Sequence, residues 1–255
     1  MYRTLEIERT GERATLWLNR PEKMNPLSAT VLQEIIDACT ELNQAPAPRV
    51  VIIAGRGRSF SAGADLEGFP GVGDATARHM ADLGRRMADA VEGLSAITIA
   101  RIHGWCVGGG LVLAAACDLR VATVETRFSI PEVDLGIPLA WGGIPRLVRE
   151  IGPALAKELV ITCRPFGAEE AKAAGFLNHC VSADQLDTVV DELATTIATK
   201  PRFAVQATKR HVDAVAATQV GLARSWADAD SLLTGLADPE GIEARANYLT
   251  ARKQR

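Results

Sequence analysis

The stretch from His103 to Ala122, HGWCVGGGLVLAAACDLRVA, joins a predicted strand to a predicted helix through three consecutive glycines. The strand is Ile97 to Ile102, and Gly108, Gly109 and Gly110 lead directly into the helical run LVLAAAC. The first amides of a helix have no partner within the helix and lie at the positive end of its dipole. Because glycine has no side chain to cover its amide, a ligand oxygen can approach closely. This strand, turn and helix predict an α/β fold with a site for negative charge.

A second glycine turn of the same kind lies earlier in the chain. The segment Ser61 to Asp65, SAGAD, follows the apolar strand predicted at Val50 to Ala54. Two backbone amides that point at one spot make an oxyanion hole, which stabilises charge developing on a carbonyl oxygen. One such turn alone is usually a tight turn and nothing more, so the prediction depends on the two turns meeting.

The surrounding pattern extends the α/β prediction and ends in a helical region. Ser28 is expected to cap a helix whose apolar residues run at helical spacing from Val31 to Leu42. From Gly142 onward the pattern is predominantly helical. The other predicted elements are strands at Ala14–Leu18, Leu119–Ala122 and Arg127–Val133, a helix at about Asp74–Leu94, a capping box at Ser182 and Gln185, and a last helix opened by Asp238 and Pro239.

Composition excludes several classes of protein. The 255 residues include 47% hydrophobic and 23% charged residues with a net charge of -3, as expected of a globular protein without a broad nucleic-acid surface. The apolar run Leu111 to Cys117 is far shorter than the roughly 20 residues that cross a bilayer. The N-terminus is charged at Arg3, Glu6, Glu8 and Arg9, unlike a secretory signal. We therefore expect a cytoplasmic protein with no membrane span.

Motifs for cofactors and metals are also missing from the sequence. Phe60 stands where a dinucleotide fingerprint beginning at Gly55 needs its third glycine, and no P-loop or GxSxG string occurs. The four histidines have no ligand spacing, and the five cysteines form no CxxC pair. We expect buried, reduced cysteines, no metal and no separate cofactor.

Five segments of the chain form one joint pattern: LNRPEKMNPLS (Leu18–Ser28), FSAGADL (Phe60–Leu66), HGWCVGGGLVLAAACDLRVA (His103–Ala122), FSIPEVDLGIPLAWGGIPRLVREIG (Phe128–Gly152) and GAEEAKAAGFLNHCV (Gly167–Val181). Together they resemble the crotonase family, the enoyl-CoA hydratases and isomerases. They run in the family's order through nearly the whole chain, and their joint pattern is highly specific.

The resemblance implies a spiral of ββα units followed by a helical region that builds trimers, often stacked into hexamers. Residues 1–200 would form the spiral core and residues 201–255 the helical trimerisation region. The acyl pocket would be shaped by two irregular segments, at Gly68–Arg86 and Leu139–Trp141. The expected partner is an acyl-CoA, and the expected assembly is a homotrimer or homohexamer.

The resemblance also implies the roles of particular residues toward a CoA thioester. The thioester oxygen would lie between the amides of Ala64 and Gly109. A developing enolate puts negative charge on that oxygen, which agrees with the reasoning from the glycine turns. The expected contacts to CoA are Lys23, Met24, Ala62, Asp65, Leu66 and Gly108. Asp65 is expected to cap its turn rather than react, and Arg252 and Lys253 are interpreted as solvated surface charge.

The acid and base residues depart from the family's pattern. Hydratases of the family usually carry two glutamates; Glu132 matches the second, but Val112 occupies the position of the first. Hydration ordinarily uses both carboxylates, whereas moving a double bond from the 3 to the 2 position needs one base. The sequence therefore favours isomerisation by Glu132, whose apolar neighbours would raise its pKa. Asp134 would face the same way only if its strand continued regularly.

Two other functions stay open beside this one. An intact thioester site with one carboxylate missing is also compatible with an acyl-CoA-binding homologue that has no activity. An RNA-binding homologue would need a lysine-rich helix after the first glycine turn, but that helix offers only Arg78, His79, Arg85 and Arg86 among acids. The second alternative is disfavoured.

Overall fold

The computed structural model describes residues 2–66, 77–225 and 227–253. Within them, the strands are β1 (Leu5–Thr10), β2 (Arg13–Leu18), β3 (Val50–Gly55), β4 (Ile97–Ile102), β5 (Trp105–Val107), β6 (Leu119–Thr123), β7 (Arg127–Ser129), β8 (Phe166–Gly167) and β9 (His179–Val181). The larger sheet has the order β1-β2-β3-β4-β6-β9, and the smaller one has the order β5-β7-β8. Only β1 runs antiparallel to its neighbour in the larger sheet.

Successive strand pairs divide between the two sheets, which produces a spiral. β4, β6 and β9 each add to the larger sheet, while β5, β7 and β8 beside them in sequence add to the smaller one. The helices are α1 (Ala29–Leu42), α2 (Ala77–Glu92), α3 (Gly109–Ala115), α4 (Gly143–Thr162), α5 (Ala168–Ala173), α6 (Leu186–Ala198), α7 (Arg202–Gln219), α8 (Asp228–Ala237) and α9 (Pro239–Lys253). The predicted α/β class with a helical C-terminal region is confirmed.

The main core lies between the larger sheet and helices α1 to α4. Ser28 caps α1 as predicted, because its side chain accepts a hydrogen bond from the Val31 amide. All six residues of β3 are buried, which suits a central strand of a parallel sheet covered on both faces. A second apolar cluster joins α6 to the other face of the sheet.

The C-terminal helices α8 and α9 return to the segment that follows β7. Three glycines allow this close approach: a Cβ on Gly241 would lie 2.7 Å from the carbonyl oxygens of both Gly136 and Gly235. Leu232 and Leu236 of α8 pack with Leu135 and Ile137 in a third apolar cluster. None of the described helices is long and apolar enough to cross a membrane. The division into residues 1–200 and 201–255 stays a prediction.

Several element predictions need correction. The strand predicted at Arg127–Val133 ends at Ser129, because Pro131 has no N–H to donate and Glu132 begins a turn. The chain after Gly142 is less helical than expected, since it contributes β8 to the smaller sheet and β9 to the larger sheet.

Two further differences concern element ends. The Ser182–Gln185 capping box is wrong: α6 begins at Leu186, and its N-cap residue Gln185 makes no side-chain cap. β1 was not predicted, and its exposed charges explain why its alternation is hard to recognise. The predicted helix at Asp74–Leu94 corresponds to α2 over Ala77–Glu92, while residues 74–76 lie outside the described part.

Candidate active site

The two glycine turns predicted from the sequence lie side by side. Ser61 and Cys106 form an isolated parallel bridge. In it the Ser61 amide donates to the Trp105 carbonyl at 3.0 Å, and the Val107 amide donates to the Ser61 carbonyl at 3.1 Å. The glycine turn after β3 therefore runs next to the glycine turn after β5, and this brings Gly63 and Gly109 together.

Gly63 shows how closely the turns approach each other. Its φ is +87°, and a Cβ there would lie 2.7 Å from the Val107 carbonyl oxygen and 3.6 Å from the Gly109 nitrogen. Only glycine combines this backbone conformation with this contact. The glycine is required by the neighbouring backbone, not by access to its own amide.

The amides of Ala64 and Gly109 are oriented away from the ladders around them. Leu27 donates to the Gly63 carbonyl at 2.8 Å and accepts from the Asp65 amide at 3.1 Å. Because alternate residues of a strand point their amides in opposite directions, the Ala64 N–H faces away from Leu27. Gly109 is the first residue of α3, where a helix leaves its amides without an internal partner. Ala64 and Gly109 line the same pocket.

Glu132 reaches this pocket from the turn after β7. β5 and β7 are parallel, with Val107 beside Ser129, so the residues after their carboxyl ends are neighbours. The Gly108 amide donates to the Ser129 carbonyl at 2.9 Å. A Cβ on Gly108 would overlap Oε1 of Glu132, so this glycine leaves room for the carboxyl group. Gly108, predicted to contact CoA, thus lies against the predicted base.

The carboxyl group of Glu132 is buried without a charged partner. Its Oε2 atom is inaccessible to solvent and has no hydrogen-bond partner, although the residue as a whole is partly exposed. Desolvation raises the pKa of Glu132 from 4.5 to about 7, opposed only by a hydrogen bond from its own backbone amide. The group is therefore about equally protonated and ionised near neutral pH.

The rest of the pocket is apolar. Val112 lines it together with Glu132. According to the family resemblance, Val112 occupies the position where hydratases usually carry their first glutamate. The described part of the lining encloses a cavity of about 30 Å³, enough for a water molecule or two. Its remaining walls come from residues 137–141 and from Leu232 of α8.

The NRPEKMN segment forms a loop against the first glycine turn. The Ala62 amide donates to the Met24 carbonyl at 2.8 Å. Arg20 and Asp65 form an ion pair at 3.0 Å, so the Asp65 carboxylate ties the loop to the turn. Lys23 is exposed on this loop, and Leu66 is partly buried. The predicted CoA contacts other than Gly108 therefore lie together, beside Ala64.

Asn25 anchors this loop and was not predicted. It is 2% exposed, and its Nδ2 donates to the carbonyls of Arg56 and Ser59, each at 2.9 Å. Its Oδ1 accepts from the Arg20 amide at 2.9 Å. Met24 and Asn25 have positive φ values of 61° and 54°. The two asparagines and two prolines of the loop indicate a turn, but they do not identify these two positions.

The sequence alone does not determine the positions of Asp134 and Leu232. Asp134 is exposed, and because the strand ends early it does not share a face with Glu132. Leu232 lines the pocket from a helix far along the chain, where nothing in its own sequence marks it. Among the described residues no group of three His, Cys, Asp or Glu side chains is placed to hold a metal ion.

A spiral of this architecture, with two glycine turns and one carboxyl at a single pocket, defines a crotonase-fold enzyme. The chain belongs to the enoyl-CoA hydratase/isomerase family, whose family model matches residues 10–253. It is similar to a crotonyl-CoA hydratase of Syntrophomonas wolfei, with 35% identity over 99% of this chain and 97% of the relative.

Further relatives carry different activities in their names. A peroxisomal Delta(3,5)-Delta(2,4)-dienoyl-CoA isomerase of Arabidopsis thaliana is 35% identical over 82% of this chain and 81% of the relative. The crystal structure of an enoyl-CoA hydratase from Bacillus anthracis matches with a TM-score of 0.80 and 31% identity, covering 99% of this chain and 96% of that one. The family is thus shown, and its members differ in reaction.

Proposed function

We propose that this enzyme moves the double bond of an enoyl-CoA thioester from the 3 to the 2 position. The observation that carries the proposal is the lone carboxyl at the pocket: among the described lining residues, Glu132 is the one with an acidic side chain. Val112 faces the same pocket and cannot transfer a proton. One base is sufficient for isomerisation, whereas hydration ordinarily uses two carboxylates.

The amides of Ala64 and Gly109 would hold the thioester oxygen. Removing the proton on the carbon next to the carbonyl creates an enolate, and its charge develops on that oxygen. Fixed amide donors stabilise such charge more than they stabilise the neutral thioester, which lowers the barrier. One such donor is typically worth about 2.7 to 4 kcal/mol.

Glu132 would carry the proton between two carbons. Its ionised carboxylate takes a proton from C2 of the 3-enoyl thioester, and the electrons move into a dienolate. The same carboxyl then returns the proton to C4, which leaves the double bond between C2 and C3. A pKa of about 7 suits this shuttle, because the group accepts and releases a proton with similar ease near neutral pH.

Hydration is the second candidate, because a crotonyl-CoA hydratase is 35% identical to the whole chain. The cavity beside Glu132 is large enough for a water molecule or two. In that reaction Glu132 alone would orient the water and move its proton, without help at the position of Val112.

The proposal extends to the substrate's CoA portion and to the assembly. Lys23, Met24, Ala62, Asp65 and Leu66 would contact the CoA, and no cofactor beyond the substrate is required. The exposed apolar side chains on α7 support self-association into a trimer or hexamer: Phe203 is 78% exposed and Val212 is 60% exposed.

Paired assays separate these functions. A 3-enoyl-CoA and a 2-enoyl-CoA are offered to the wild type and to Glu132→Gln, with Asp134→Asn as the control that removes an exposed carboxylate of the same turn. We expect turnover of the 3-enoyl substrate that Glu132→Gln lowers at least about 100-fold and Asp134→Asn preserves. If only the 2-enoyl substrate reacts, by hydration that depends on Glu132, the proposed isomerisation is wrong and the protein is a hydratase. Tight acyl-CoA binding without turnover of either would indicate a binding protein.

A further inference from the structure

Trp141 has a backbone conformation that is unfavourable for a bulky residue. Its φ is +61°, in the left-handed region. The adjoining peptides are held on two sides: Asp228 of α8 accepts from the Gly142 amide at 2.7 Å, and Arg146 donates to the Gly142 carbonyl at 3.2 Å. Such conformations persist only where the surroundings enforce them, and they cluster at functional sites.

Arg146 is itself firmly fixed. Its side chain is fully buried and pairs with Glu92 at 2.6 Å and Asp89 at 3.0 Å, both on α2. Three elements, α2, α4 and α8, thus fix the backbone around Trp141. The backbone at Trp141 is therefore held by contacts from a buried, ion-paired arginine and from Asp228, and not by local turn preference alone.

The indole of Trp141 lies in a slot made by two glycines. A Cβ on Gly84 of α2 would overlap its ring, and a Cβ on Gly109 would overlap the six-membered part. Any other residue at either position would expel the ring. Because Gly109 begins α3, the ring packs directly against the backbone of one proposed oxyanion donor.

This placement brings the indole beside the proposed reacting atoms. Trp141 lines the same pocket as Glu132, Val112 and Ala64, and Leu232 closes it from α8. If the thioester oxygen is held at Gly109, the first carbons of the acyl group lie between Glu132 and the indole. A longer chain then meets the ring and the apolar residues behind it.

We propose that Trp141 sets the length of the acyl group, so that the enzyme prefers short enoyl-CoA substrates. The inference rests on the acyl-CoA site of the proposed function. It adds a specificity-determining side chain whose position is built by Gly84, Gly109 and Arg146.

Acyl-CoA binding tests this inference without requiring turnover. Calorimetry measures the Kd of butyryl-CoA, hexanoyl-CoA and decanoyl-CoA for the wild type, Trp141→Gly and Trp141→Phe. Glycine suits the positive φ, so Trp141→Gly removes the ring without adding backbone strain. Trp17→Phe is the matched control for Trp141→Phe, because Trp17 lies in β2 under Arg56, outside the pocket.

The wild type is expected to bind decanoyl-CoA no more tightly than butyryl-CoA. Burying one methylene raises affinity about fourfold, so the four methylenes that decanoyl-CoA has beyond hexanoyl-CoA can raise affinity by at most about 200-fold. We expect Trp141→Gly to bind decanoyl-CoA at least about tenfold more tightly than hexanoyl-CoA, Trp141→Phe to change in the same direction by less, and Trp17→Phe to match the wild type.

Two results would overturn the inference in distinguishable ways. Normal acyl-CoA binding with the same dependence on chain length in wild type and both Trp141 variants would remove the role of the indole and leave the proposed function standing. No binding of any acyl-CoA to the folded wild type would refute the acyl-CoA site, and the inference with it. If Trp141→Gly does not fold, the comparison of Trp141→Phe with Trp17→Phe decides.

Discussion

Replacing Glu132 with glutamine should make the protein relatively more stable at high pH, and it removes the proposed proton carrier. Burial raises the pKa of this carboxyl from 4.5 to about 7, so the folded protein keeps it neutral at pH values where the unfolded chain has released the proton. The unfolded state then binds fewer protons, and the wild type loses stability as the pH rises from about 4.5 to 7. Glutamine is neutral throughout and has no such loss.

The size of the effect follows from the two pKa values. Linkage between pKa values of 4.5 in the unfolded chain and about 7 in the folded protein costs the wild type about 1 kcal/mol at pH 5 and about 3 kcal/mol at pH 8. The difference in free energy of unfolding between Glu132→Gln and wild type should therefore grow by about 2 kcal/mol between these pH values. Using the change with pH cancels the constant cost of an amide that lacks partners.

Urea unfolding at pH 5 and pH 8, at one fixed protein concentration because assembly contributes to stability, measures this change. Asp134→Asn is the matched control for loss of a carboxyl from the same turn. A difference between Glu132→Gln and wild type that stays constant within about 0.5 kcal/mol would show that Glu132 is not buried uncharged, and the reasoning about its pKa would fail.

Three further changes test other parts of the site. In the wild type, kcat/KM should rise with pH to a plateau, with its midpoint near pH 7, because the base must be ionised; a flat profile from pH 5.5 to 8.5 would contradict this. Ala64→Pro removes one proposed oxyanion donor and should lower kcat by about 100- to 1,000-fold, while circular dichroism shows an unchanged fold; full turnover would refute the assignment. Asn25→Ala leaves buried carbonyls without donors and should lower the free energy of unfolding by at least about 2 kcal/mol in urea titrations; a loss below about 0.5 kcal/mol would show that water replaces the side chain.

The strands and helices around the site were predictable because local patterns determine them. β3 and β4 are short apolar runs, and α1 has both a capping serine and apolar residues at helical spacing. β9 was not predictable, because three partly exposed residues carry little local signal and their partner β6 is distant in sequence. The turn that follows β7 is closed by the hydrogen bonds that Leu135 and Ile137 donate to the Glu132 carbonyl, each at 3.0 Å, and these contacts have no signal in the local sequence pattern.

The glycines illustrate where reasoning from the sequence stops. A glycine-rich turn predicts exposed amides, but it does not say what fills the space that each missing side chain leaves. Gly108 makes room for the Glu132 carboxyl, Gly109 and Gly84 make room for the Trp141 ring, and Gly63 makes room for the Val107 carbonyl. These partners come from separate elements, so only the assembled fold shows them.

Glu132 differs from the buried arginine and lysine side chains of the core because its carboxyl group has no charged partner. The fully buried Arg146 pairs with two carboxylates, the nearly buried Arg120 pairs with Glu150 at 2.6 Å, and Lys209 pairs with Asp118 at 2.8 Å. Among the carboxyl groups of the described residues, only Glu132 has a buried oxygen without a partner. The unpaired carboxyl lowers the free energy of unfolding as the pH rises from about 4.5 to about 7, and the full loss remains above its raised pKa. A group kept in a destabilising state beside two free amides supports a role in chemistry more strongly than its match to a family motif does.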